Sequence, residues 1–239
     1  MSLRKVMNRV LELGRQKRDL KNYYTASPGS VEWLKGAELK YGGMVTEVTR
    51  NKVSPADPRS KEEICEGGMT GGDRMRDHGY AAKYTEYLAP YIGADTNLVV
   101  AEFGILKGSG LAMWSELFPE ARILGFDIDL SYTQKNMEFL MSQGAFVKTT
   151  PELFDYDQFV ESSEYLGSVL NGAKIDICID DGFHSVESIM CTMKSLMHHF
   201  AENFVLFVED NREVHGEIRK IYPELFVDNE GELTIIKRR

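Results

Sequence analysis

The chain has 239 residues, enough for one well-buried core with an extension but tight for two full domains. A formal charge of −9 and a pI near 5.2 exclude a general nucleic-acid binder. No apolar run approaches the length of a membrane span and MSLRKVMNRV has no signal-peptide core, so a cytoplasmic protein is expected.

The charge is uneven. Residues 1–52 hold 11 Lys+Arg against 5 Asp+Glu, whereas the remainder holds 17 against 32, which confines any phosphate-rich partner to the N-terminus. Residues 1–22 read as a basic helix, with Leu3, Val6, Val10, Leu13 and Leu20 near helical spacing. Its functional reading is contact with a membrane surface or an acidic partner; packing on the main domain or on a sister subunit is the expectation preferred here. Ser27-Pro28-Gly29-Ser30 breaks the pattern, a short helix is expected over Val31–Leu39, and Met44–Val48 reads as a strand. Asn51–Ser60, with two prolines, reads as a loop. Residues 66–80, EGGMTGGDRMRDHGY, carry five glycines and several polar tips just before a helix expected over Ala81–Tyr91, which suits an active-site lid.

Leu98–Asp129 organises the remainder. An apolar run, Leu98-Val99-Val100-Ala101, leads through Glu102-Phe103-Gly104 into the turn Lys107-Gly108-Ser109-Gly110. A helix expected over Leu111–Leu117 and a second run, Ile123–Phe126, then deliver Asp127. Strand, glycine turn, helix, strand and acid make a mononucleotide-binding βαβ half, with the acid placed for ribose hydroxyls. Gly104, Gly108 and Gly110 do not supply G-x-G-x-x-G, which disfavours an NAD-linked oxidoreductase. An acid two residues before the first glycine suits a cationic ligand, and S-adenosylmethionine (SAM) offers a sulfonium, an amino group and a ribose.

The alternation continues with a helix from Ser131 to Met141, a strand at Gly144–Val147 and a largely helical Glu152–Leu170. Ile175–Ile179 reads as a strand, Ser185–Phe200 as a helix, Phe204–Val208 as a strand and Arg212–Ile221 as a last helix. A closing antiparallel pair, Leu225–Val227 and Leu233–Ile236, flanks a DNEGE turn. This order predicts an α/β fold, a doubly wound, mostly parallel sheet with its site at the strand C-terminal ends. Cys65, Cys178 and Cys191 lack metal-site spacing; Cys178 and Cys191 read as buried free thiols.

Two strands end in paired acids, Asp180-Asp181 and Glu209-Asp210, on the same sheet edge as the Gly104 turn. Four carboxylates there would repel without a cation between them, and Mg²⁺ with open positions is the economical answer. His184 lies three residues beyond Asp181 and is placed to take a proton from a hydroxyl whose pKa the cation lowers.

VVAEFGILKGSGLAMW, ILGFDID, IDICIDDGFHS and FVLFVEDN together resemble class I SAM-dependent methyltransferases. The closer likeness is to the metal-dependent sugar O-methyltransferases of the macrocin and mycinamicin type, over roughly Asp73 to the C-terminus. The resemblance implies a Rossmann-like seven-stranded sheet, with residues 66–239 as the catalytic domain and residues 1–65 as an N-terminal extension. It implies that Asp181, Glu209 and Asp210 hold Mg²⁺, that His184 is the base, and that Glu102, Gly104 and Asp127 line the SAM site, with Ser109 and Asp180 beside them. The implied reaction is methyl transfer to a hydroxyl of a saccharide or glycosylated small molecule by a homo-oligomeric enzyme. A catechol-type acceptor and a non-catalytic SAM-binding module are the alternatives; the catechol chemistry calls for a lysine base in place of His184.

Overall fold

The computed structural model describes residues 3–42, 45–94 and 97–239; the side chains of residues 3–6, 8, 9, 45 and 46 lie outside that description. The chain begins α1 (Leu3–Tyr23), α2 (Val31–Lys40), β1 (Val45–Val48), α3 (Lys61–Glu66), β2 (Met69–Gly71) and α4 (Ala81–Leu88), with a 3₁₀ turn over Ala89–Tyr91. It continues β3 (Val99–Phe103), α5 (Ser109–Leu117), β4 (Arg122–Asp127), α6 (Ser131–Ser142), β5 (Glu152–Asp155) and α7 (Ser163–Leu170). The last elements are β6 (Ile175–Asp180), α8 (Val186–Leu196), β7 (Phe200–Val208), α9 (Val214–Ile221), β8 (Leu225–Glu230) and β9 (Leu233–Arg238).

These elements form two compact units that do not divide at residue 65. One combines Met1–Val48 with Met69–Ala94; the other combines Thr49–Gly68 with Asp95–Arg239. In the first, Ser30 Oγ caps α2 by accepting from Trp33 N at 3.3 Å, and α2 buries Trp33, Leu34 and Ala37. Gly36 permits close approach of α1, because a Cβ there would lie 2.3 Å from Tyr23 Cβ. The buried Glu38 carboxyl group accepts from Met75 N at 2.8 Å and Arg76 N at 3.2 Å. Part of the 66–80 stretch is thereby anchored: Arg74, Met75 and Tyr80 are buried, and β2 pairs antiparallel with β1. The strand expected from Met44 is observed from Val45, since Met44 lies outside the described residues.

In the second unit the sheet order is β5-β4-β3-β6-β7-β9-β8. The first five strands are parallel and β9 and β8 close the sheet antiparallel, as the repeated βα pattern predicts. β3 is buried along its whole length, because helices cover both faces of a parallel sheet. Phe103 and Phe126 stack at 4.5 Å between β3 and β4.

Two expectations are corrected. Gly144–Val147 is not a strand: Phe146 has φ +60 with its N–H on Ser115 Oγ, and Val147 is exposed. The sheet's edge strand is Glu152–Asp155, in the stretch read as helical, because Leu153 and Phe154 align with Gly125 and Phe126 of β4. The helix begins only at Ser163. An unexpected helix, α3, is set by a capping box between Ser60 and Glu63. Cys178 is buried, Cys191 half-buried and Cys65 exposed, all three free. Among the described residues no helix is long and apolar enough to cross a membrane.

Candidate functional site

At the C-terminal end of β3 the chain turns at Gly104, φ +82, whose Cβ position falls 2.1 Å from the carbonyl oxygen of Asp181. A side chain there would strike backbone, so glycine lets the ends of β3 and β6 meet, with Asp181 N on Phe103 O at 2.8 Å. Gly108, also left-handed, leads directly into α5 and its first residue, Ser109. Glu102, predicted to face a cationic ligand, is 2% exposed and laid against the first turn of α5. Trp114 Nε1 donates to its Oε2 at 3.1 Å, and a Cβ on Gly110 would lie 2.2 Å from its Oε1. Its carboxylate joins strand to helix; a direct bond to a ligand's amino group needs that packing to open.

Asp127, at the end of β4, supports the same turn. Its Oδ2 accepts from Ile105 N at 2.9 Å and Leu106 N at 3.1 Å, and its Oδ1 accepts from Asp129 N at 2.9 Å. Burial raises its pKa, against the lowering effect of those three donors. Two residues on, Asp129 accepts from Ser131 N through Oδ1 at 3.0 Å, while its buried Oδ2 has no hydrogen-bond partner among the described residues. Burial works to raise the Asp129 pKa, yet donors from Ser131 and Asn51 hold it below the ordinary carboxylate range. A buried carboxylate oxygen without a donor is costly, and ribose hydroxyls supply donors. Sequence reasoning passed over Asp129; the Asp127-Ile128-Asp129 spacing, two acids at the strand's alternation, was the available signal.

The 49–68 segment, of which residues 49–65 are assigned from sequence to the extension, runs across this edge of the second unit. Tyr132 donates to Thr49 O and accepts from Asn51 Nδ2 at 2.9 Å. Lys52 Nζ reaches Asp155 at 2.7 Å, Ser54 Oγ donates to Asp157 at 2.6 Å, and the Arg59 guanidinium sits 4.6 Å over the Phe183 ring. These contacts join residues about a hundred positions apart, so no local pattern could announce them.

The ends of β6 and β7 hold the chemistry-bearing groups. Asp180 is buried, accepts from Gln158 Nε2 at 2.7 Å, and is pushed up to about 6 by burial. Gln158 Oε1 accepts from Phe183 N at 2.8 Å, pinning the turn at Gly182, where a Cβ would lie 1.9 Å from that oxygen. Asp180 thus anchors the turn, and Asp181 beside it is half-exposed. Asp181, His184 and Asp210 each present a ligand atom, all within 4.8 Å of one another. His184 Nε2 is 3.8 Å from Asp181 Oδ1, and Nδ1 is 3.2 Å from the Glu209 carbonyl oxygen. His184 and Asp210 both have positive φ, at +64 and +55, uncommon for residues with a side chain. Asn211 secures the arrangement: its Nδ2 donates to His184 O at 2.7 Å while its Oδ1 takes the N–H groups of Glu213 and Val214. Glu209, the third acid predicted as a ligand, is buried at 1% exposure and lies outside the three-residue set. Two carboxylates and an imidazole are a donor set that fits a divalent cation with room for further oxygen ligands.

The sequence matches no protein-family model and no curated protein. The structure is similar to MycE methyltransferase from the mycinamycin biosynthetic pathway in complex with Mg and SAH: TM-score 0.54, 16% identity, 68% of this chain and 50% of that chain. It is similar also to MycE in complex with Mg, SAH and mycinamycin VI, with TM-score 0.53, 17% identity and the same coverage. The chain spans about half the length of these proteins. The shared feature is the class I methyltransferase fold, a mostly parallel seven-stranded sheet with flanking helices.

Proposed function

We propose that this chain is a SAM-dependent O-methyltransferase that uses Mg²⁺ and acts on a hydroxyl of a saccharide or glycosylated small molecule. The observation that carries the reading is the convergence of Asp181, His184 and Asp210 at the strand ends beside the Gly104 turn. The same fold in MycE structures containing Mg, SAH and a mycinamycin supports it. Asp181 and Asp210 would hold the cation, which supplies Lewis acidity that lowers the pKa of an acceptor hydroxyl. SAM supplies the methyl group on a sulfonium.

The chain's own residues supply placement and proton transfer. In the neutral ring, His184 Nδ1–H donates to Glu209 O, which fixes the tautomer and leaves the Nε2 lone pair to take the acceptor's proton. Asp129 Oδ2 accepts a ribose hydroxyl, while Asp127 keeps its three backbone donors and holds the turn. Lys52, Ser54 and Asn51 keep the 49–68 segment across that edge. A second reading makes His184 Nε2 a cation ligand rather than the base, because it stands inside the ligand set.

Calorimetric titration with S-adenosylhomocysteine (SAH), with and without Mg²⁺, tests the cofactor assignment directly. Micromolar binding in both conditions is expected; binding in neither removes the methyltransferase reading.

A further inference from the structure

The first unit presents a surface that the proposed reaction does not use. Along α1, Glu12 and Asp19 bind Arg76 at 2.6 and 3.2 Å, and Tyr23 packs against Gly36 of α2. At 100° per residue, Glu12, Gln16, Asp19 and Tyr23 share this packed side, and Met7, Val10, Gly14 and Lys17 lie on the opposite one. Met7, Val10, Leu11 and Leu13 are 59%, 63%, 58% and 50% exposed. Four large apolar side chains within two turns, spread over about 160° of the surface away from the helix's own packing, form a broad apolar stripe that water does not stabilise.

Beside the stripe the surface is cationic. Arg15 and Arg18 stand on the flank of α1 next to Leu11, and with Lys35 of α2 they line a cavity of about 220 Å³ whose other walls are Glu12, Asp19, Arg76 and Asp77. Arg76 is committed to Glu12 and Asp19. Arg15 acts on Glu12 through charge alone, and among the described residues no hydrogen bond or close ion pair holds Arg15, Arg18 or Lys35. The apolar residues of α1 therefore adjoin a group of cations from α1 and α2.

We infer that α1 is a membrane-surface helix, seating its Met7–Leu13 stripe at the acyl boundary of an anionic bilayer and a lipid phosphate among Arg15, Arg18 and Lys35. A helix with an apolar stripe, a polar opposite side and a cationic flank lies in the plane of a negatively charged interface. Charge argues against a second copy as the occupant. Residues 3–23 carry seven Lys+Arg against two acids, both acids are engaged by Arg76, and pairing two such helices opposes like charges. Lys17 and Lys21, farther along, have stems long enough to reach the headgroups.

Flotation of the full chain with vesicles of phosphatidylcholine alone, and of phosphatidylcholine and phosphatidylserine at roughly 2:1, tests this. Binding to the anionic vesicles at least about tenfold above the neutral ones, weakening as salt rises, is expected. Leu11→Glu, at an exposed position, abolishes it with the circular dichroism spectrum unchanged. Arg15→Ala and Arg18→Ala each reduce anionic binding about fivefold and leave the weak binding to neutral vesicles unaltered. Absence of binding to anionic vesicles overturns the inference. So does binding that Leu11→Glu leaves intact, or an oligomer that Leu11→Glu dissociates, which would give the stripe to a second copy. SAH affinity, read in parallel, separates this result from the methyltransferase reading, because Leu11→Glu leaves it unchanged.

Discussion

His184 Nδ1 stands 3.2 Å from the carbonyl oxygen of Glu209, so the ring that follows β6 is tied to the backbone that follows β7. The bond joins residues from two βα units and aims Nε2 toward Asp181. His184→Ala is expected to lower kcat by about 10²–10⁴, the range for a lost general base, with SAH affinity unchanged. Mn²⁺ titration of the same variant separates the two roles: retained affinity fits the base, and a loss on the order of 10–100-fold makes His184 a ligand.

Asp181 and Asp210 carry the cation in the proposed reaction. Asp181→Asn and Asp210→Asn should each weaken Mn²⁺ binding, followed by electron paramagnetic resonance, on the order of 10–100-fold. EDTA should stop methyl transfer to a sugar acceptor without displacing SAH. Full activity after complete chelation would remove the metal assignment.

Asp127 and Asp129 are expected to separate a structural from a ligand role. Asp127→Ala frees the backbone donors of Ile105, Leu106 and Asp129 and should cost about 2–3 kcal/mol of stability. Asp129→Asn leaves the fold intact and weakens SAH binding about tenfold, as expected when one charged acceptor of a ribose hydroxyl becomes neutral. Thermal melts and calorimetry on both variants check the pair.

Gly104→Ala should destabilise the protein by about 2–4 kcal/mol, because left-handed backbone and contact with the Asp181 carbonyl penalise the same methyl group. Denaturant unfolding measures it, and a change within about 0.5 kcal/mol would show that the two strand ends do not meet as described.

Glu38 gives stability a pH dependence. Burial pushes its pKa from 4.5 up to about 8, so between those values the folded chain keeps a proton that the unfolded chain has released. Stability from this group is therefore full below pH 4.5 and declines as pH rises toward 8. Glu38→Gln should flatten that decline in a series of thermal melts, at a uniform cost in stability, because its one amide oxygen serves only one of the Met75 and Arg76 N–H groups. An unaltered slope would mean that Glu38 is ionised throughout.

The sequence by itself determined the parallel sheet, since runs such as Val99–Phe103 and Ile175–Asp180 are apolar enough to be buried on both faces, and the alternation with helices is periodic. It also determined which strand ends bear acids, because the chain order puts the pairs Asp180-Asp181 and Glu209-Asp210 at the ends of neighbouring strands, one βα unit apart. Only tertiary structure decided how those acids divide their work. Asp127 and Glu102 carry the expected charge, but backbone donors occupy the first and Trp114 holds the second, leaving Asp129 with the open oxygen. It likewise brought Asn51, Lys52 and Ser54 onto residues about a hundred positions away, and turned Glu152–Asp155 into a strand because β4 offered an edge. Hydrophobic periodicity is written locally, whereas the partner of a given carboxylate oxygen depends on which distant backbone reaches it first, and that is settled by packing.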